Sequence, residues 1–158
     1  MRKGSERMSD NTKPLRWHKF LVYFSLWAGA VMLVLSGAAF IAGTVYGEMG
    51  DRVYQAFPVM RSVDIVYGLV LIGVAVYVIY TRFQLAGFRQ GAPQKLLVLL
   101  ALSPVLEWGY QFVLSAITGV PITEIHSGGS FIGELIGTAI GIWLHKIYYG
   151  KRKELFVN

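Results

Sequence analysis

Four stretches of the chain run apolar with little interruption: residues 20–46, 63–80, 96–120 and 128–147. A water-soluble helical bundle carries a polar face at a 3.6-residue period, and these stretches carry none. Each approaches or exceeds the ~20 residues that cross a hydrocarbon layer ~30 Å thick. The pattern predicts an all-α, polytopic membrane protein with four transmembrane helices. Residues 1–16 are polar, charged and without periodicity, which predicts a disordered basic cytoplasmic tail. Residues 17–150 then form one membrane domain, and residues 151–158 a short basic tail.

The connecting segments refine this picture. "GEMGDRVYQAFPVMRS" mixes charges with Tyr54, Phe57 and Met60 and is expected to lie along the membrane surface. "TRFQLAGFRQGAPQK" contains Gly87, Gly91 and Pro93, which interrupt helices two and three. "VPITEIHS" is short, so helices three and four are expected to form an antiparallel hairpin. The first apolar run follows a basic segment, as a leader peptide does, and Ser36-Gly37-Ala38 offers small residues. The run continues to Tyr46, however, and is read as a retained span.

Composition agrees, with 54% hydrophobic residues and a mean hydropathy of +0.50. The distribution of charge adds an orientation. Six basic residues precede the first span, three separate spans two and three, and four close the chain from Lys146 onward. Only Arg52 and Arg61 fall on the opposite side. The positive-inside rule therefore predicts that both termini are cytoplasmic. The net charge of +6 follows from this asymmetry and carries no nucleic-acid meaning. A basic face of this kind attracts anionic lipid headgroups. Trp17, Tyr77, Tyr80, Trp143, Tyr148 and Tyr149 fall near the inner interface, with Tyr46 and Tyr54 near the outer, as in aromatic belts.

The phrases "LVYFSLWAGAVMLVLSG", "SVDIVYGLVLIG", "VYVIYTRFQLAGFR" and "KIYYGKRKELFVN" resemble the membrane portion of uncharacterised small bacterial proteins of Firmicutes type. Many of those carry an N-terminal zinc ribbon. This chain has no cysteine, so the ribbon has no counterpart here. The resemblance implies a multi-pass protein of the bacterial cytoplasmic membrane and transfers no site residue.

Chemistry enters at a few positions. Without cysteine, disulfides and thiolate chemistry are excluded, and the three histidines show no metal-ligand spacing. No nucleotide loop or nucleophile elbow occurs, so a non-enzymatic protein without cofactor or metal is the favoured reading. Gly129, Gly133, Gly137 and Gly141 recur at every fourth position on the fourth helix. In lipid such a ridge lets a neighbouring backbone approach closely. The favoured partner is another helix of the same chain, with Gly29, Gly37, Gly43, Gly68 or Gly73 offering a matching surface. The alternative is a homo-oligomer.

Two carboxyls lie inside the apolar runs. Glu134 shares its helix face with Ser130 and Thr138, and Glu107 shares one with Ser103, Gln111 and Ser115. Counting from Lys95 and Lys146 puts both carboxyls at a similar depth, where they are expected to meet. Intramembrane carboxyls are candidate proton or cation sites by default, and the alternative is interhelical hydrogen bonding. Asp64 opens the second helix near the outer edge and is expected to cap its N-terminus. Pro104 is expected to kink helix three. A packing, accessory or sensor module is the leading expectation. A proton- or cation-coupled transporter using Glu107 and Glu134 comes second, and a membrane-embedded enzyme third.

Overall fold

A computed structural model describes residues 15–125 and 128–157. Every regular element among them is helical. Four long helices dominate: α1 (Arg16–Ala42), α3 (Pro58–Ala86), α4 (Ala92–Thr118) and α6 (Gly128–Gly150). Two short helices, α2 (Gly50–Ala56) and α5 (Ile122–Ile125), lie in the connections at one end. The expected tail over residues 1–16 falls mostly outside the described residues, but Arg16 already begins α1.

α1, α3 and α4 are long and apolar enough to cross a membrane. Their outward side chains, including Phe24, Met32, Val66, Leu69, Val76 and Val105, are exposed in the isolated chain. Exposed apolar surface on this scale has lipid as its natural solvent. α6 has 23 residues but includes Glu134, His145 and Lys146, which lower its hydropathy, and it does not reach the same standard.

The helices pack in the order α1–α3–α4–α6, with chain neighbours antiparallel. The tightest approach is between α1 and α3. A Cβ placed on Gly68 would lie 2.6 Å from the Gly37 carbonyl oxygen, and one on Gly37 would lie 2.7 Å from the Gly68 carbonyl oxygen. Two glycines therefore bring the two backbones into contact, which in lipid is the main source of helix association. The ridge on α6 behaves differently: among the described residues, a Cβ added at Gly133, Gly137 or Gly141 would meet nothing within 4 Å. The expectation that this ridge packs within the chain is thus corrected at those three positions. The surroundings of Gly129 and the side chain of Ser130 lie outside the described residues.

Local sequence accounts for the helix ends. Pro58 and Pro93 occupy first turns, where no intrahelical N–H is needed. Gly43, Gly91 and Gly119 adopt left-handed conformations at the ends of α1 and α4. Phe88, between α3 and α4, also has a positive φ of 49°, which is uncommon for a bulky side chain. Its ring stacks on His18 at 4.9 Å and packs against Phe156, contacts that hold it there. Pro104 lies buried within α4, which continues unbroken to Thr118.

The chain termini of the described structure meet at one end of the bundle. There Leu21, Val22, Leu85, Ala92, Leu96, Tyr149 and Phe156 form the main apolar core. Phe156 shows that the expected basic tail is anchored beyond Gly150. α1 contains a π-helical turn at Leu21–Ser25, and the Arg82 Nε–H donates to the Val22 carbonyl at 3.3 Å. Such turns loosen the regular ladder, and this arginine supplies a donor to a carbonyl within it. Its guanidinium also lies over the rings of Phe83, Trp27 and Tyr23.

Candidate functional site

At the other end, the 3₁₀ segment Thr44–Met49 and α2 fold back over the start of α3. The part of this connection from Gly47 onward was expected to lie along the membrane surface. Tyr54 within it, and Tyr46 just before it, turn their hydroxyls inward to Asp64. The carboxylate is fully buried, although its residue lies almost two turns inside α3. The expected capping role is therefore corrected: the residue at the N-cap is Phe57, and no side chain caps that helix.

Asp64 is the centre of a hydroxyl network. Tyr54 donates to Oδ2 at 3.0 Å, and Tyr110, from α4, donates to Oδ1 at 2.8 Å. Tyr46 lies 2.8 Å from the Tyr110 hydroxyl and 3.5 Å from Oδ1, so its proton points to one or both. Four elements are thus tied to one carboxylate. Burial, followed by the hydrogen bond to Asp64 and its negative charge, pushes the Tyr54 pKa above its ordinary value. Burial likewise raises that of Tyr46, with the Asp64 charge adding to it. Both phenols are held as donors.

Arg61 stands one turn before Asp64 on α3, but its contacts go to α1. Its guanidinium donates to the carbonyls of Ile41 at 2.7 Å and Phe40 at 3.3 Å. These carbonyls belong to the last turn of α1, where the helix leaves acceptors unsatisfied. The same guanidinium lies 5.5 Å from the centre of the Tyr54 ring. Gly43 is needed beside it: its φ is +78°, and a Cβ there would lie 2.8 Å from the arginine Nη1.

Below this network lies a cavity of about 300 Å³ between α1, α3 and α4. Glu107, Ser36, Ser103, Phe40 and Tyr67 line it, with aliphatic side chains completing the wall. Tyr67 and Phe40 connect the two regions. The Tyr67 ring stacks on Tyr110 at 4.3 Å, and Phe40 packs edge-on against both. The cavity therefore reaches the Asp64 network through three rings.

Glu134 occupies another setting. Its Oε2 accepts the Trp108 indole N–H at 3.0 Å, and the Trp108 ring packs against Phe131. Glu134 thus meets α4 at the residue after Glu107, while Glu107 itself lines the cavity facing α1 and α3. Of the supporting polar residues, Ser103 joins the Glu107 cavity, and Gln111 has its Oε1 buried without a partner. Ser115 instead donates to the Val120 carbonyl at 2.7 Å. Thr138 is partly buried on α6. Among the described residues, no group of three His, Asp or Glu side chains is arranged to hold a metal.

Hydropathy alone assigns Tyr46 and Tyr54 to an interfacial belt and does not connect Tyr110 with Asp64. The available signal was a tyrosine on each of three elements close to one acid. No family model, curated protein or solved structure matches the chain.

Proposed function

We propose that the chain is a multi-pass protein of the bacterial cytoplasmic membrane, with α6 as a fourth span and both termini cytoplasmic. Its function is that of a sensor or accessory module that binds a small organic ammonium cation beside Glu107. One observation carries this reading: the cavity combines a carboxyl, two serine hydroxyls and aromatic faces within the bundle. A carboxylate with aromatic walls suits an ammonium group through charge and cation–π attraction together. The volume is at the lower end of the range for small-molecule sites, which favours a ligand of a few heavy atoms. The Asp64 network then serves as a latch, because Tyr67 and Tyr110 connect the cavity to the connection between α1 and α3.

Coupled transport is the second reading, supported by two carboxyl-bearing levels joined through aromatic rings. Binding and transport separate in one experiment. Methylammonium and tetramethylammonium are titrated against the detergent-purified protein by tryptophan fluorescence, and the same protein is assayed for cation flux in liposomes. The sensor reading expects saturable binding that Glu107→Gln abolishes, with flux equal to empty liposomes. Flux that depends on Glu107 and Asp64 would replace it with the transport reading. Absence of saturable binding to the wild-type protein would overturn the proposed ligand class.

A further inference from the structure

The end of the bundle that holds the termini contains a second cavity, of about 470 Å³, separate from the one at Glu107. Three parts of the chain build it. The first turn of α4 contributes Gln94, the end of α6 contributes His145, Lys146 and Tyr149, and the C-terminal segment contributes Lys153 and Phe156. No aspartate or glutamate among the described residues lines it. Among the described residues, neither lysine ammonium has a hydrogen bond or ion pair. The cavity also faces the start of a 27-residue helix, the end that carries positive partial charge.

The cationic walls and the helix start together match an anion. Leu97 and Phe156 provide an apolar wall, which suits the glycerol-ester region of a lipid better than a free ion.

We infer that this cavity binds the headgroup of an anionic glycerophospholipid. Lys146 and Lys153 hold the phosphate. The bound lipid bridges α4, α6 and the segment that carries Phe156. This site is independent of the Glu107 cavity and its ligand.

Native mass spectrometry of the full chain in detergent tests the inference, with short-chain phosphatidylglycerol, phosphatidic acid, phosphatidylcholine and inorganic phosphate as separate ligands. One phosphatidylglycerol should be retained saturably, and phosphatidylcholine should not. Each lysine near an anionic phosphate is worth about fivefold in affinity, so the Lys146→Gln/Lys153→Gln protein should bind about 30-fold more weakly. Phosphatidic acid should be retained like phosphatidylglycerol, since both carry the anionic phosphate and the glycerol-ester region. The Lys19→Gln/Lys151→Gln protein has the same charge change away from the cavity walls and should bind like the wild type. Thermal melts without lipid establish that each variant is folded. Saturable inorganic phosphate binding that the cavity variant loses would keep the anion site and assign it to a soluble ligand. Equal losses in the two double variants would mean diffuse attraction to a basic surface and would overturn the inference. So would a wild-type protein that retains neither phosphatidylglycerol nor phosphate.

Discussion

The two ends of the bundle use tyrosine for opposite purposes. At the Asp64 end, Tyr46, Tyr54 and Tyr110 converge through their hydroxyls on one buried carboxylate. At the end with the termini, Tyr148 and Tyr149 serve mainly as aromatic surface around His18. The Tyr149 hydroxyl lies 3.1 Å from His18 Nδ1, and the Tyr148 hydroxyl accepts the His18 backbone N–H at 3.3 Å. Phe88, Phe156 and Tyr149 pack around the imidazole. A buried carboxylate requires donors, because an uncompensated one costs several kcal/mol. His18 has one ring nitrogen beside the Tyr149 hydroxyl, and its remaining ring neighbours are aromatic. The Asp64 end is therefore held by directional bonds to a charge, and the other end by burial of rings.

The largest effect should come from the glycine contact between these ends. Gly68→Leu places a side chain against the Gly37 carbonyl and should cost at least the ~1–3 kcal/mol typical of overpacking. Unfolding in mixed detergent should show both ends loosening together. If only one end loosens, the two ends are not coupled through α1 and α3.

Asp64→Ala comes next and should act on one end alone. It removes the acceptor of two close tyrosine donors, at about 1–3 kcal/mol for each buried donor left unsatisfied. Proteolysis should then cut the segment from Thr44 to Phe57 faster, while the core around Phe156 keeps its protection. Equal loosening at both ends would contradict the contrast drawn above.

Single hydroxyls sharpen it further. Tyr54→Phe deletes a hydrogen bond to a carboxylate, worth about 1.5–3 kcal/mol, whereas Tyr148→Phe deletes a neutral one, worth about 0.5–1.5 kcal/mol. Thermal melts of the two variants should fall in that order. Because Tyr46 and Tyr54 have raised pKa values in the folded protein, their contribution is complete below the ordinary tyrosine pKa of ~10. It should disappear as pH rises through the folded values. Phenolate absorbance should appear together with faster cleavage near Tyr54, and early ionisation of these phenols would show that they face water.

The smallest effect is expected on α6. Gly137→Leu adds a side chain where the described residues offer no neighbour, so monomer stability should change by no more than about 0.5 kcal/mol. Crosslinking in membranes provides the second measurement. A dimer lost in this variant would assign the ridge to contact between copies, and an unchanged pattern would leave the ridge to lipid.

Hydropathy and charge are properties of segments, and that is why they were legible before any fold was known. The uniformly apolar runs predicted that α1, α3 and α4 exist, although α3 begins five residues before its run and ends six after it; a helix in lipid must satisfy its backbone internally whatever surrounds it. Gathering of the basic residues at one end followed from the same spans. Rotation of each helix about its axis was not legible. In lipid an apolar side chain is equally at home outside or inside, so periodicity does not mark the buried face. The four-residue glycine spacing on α6 therefore looked more persuasive than the isolated Gly37 and Gly68, yet close packing occurs at that isolated pair. The same holds for the acids. Glu107 and Glu134 stood out by their depth, whereas Asp64 looked like a surface cap. Only tertiary structure turned Tyr46, Tyr54 and Tyr110 from three separate elements onto Asp64, because a hydrogen-bond network across helices is set by which faces meet.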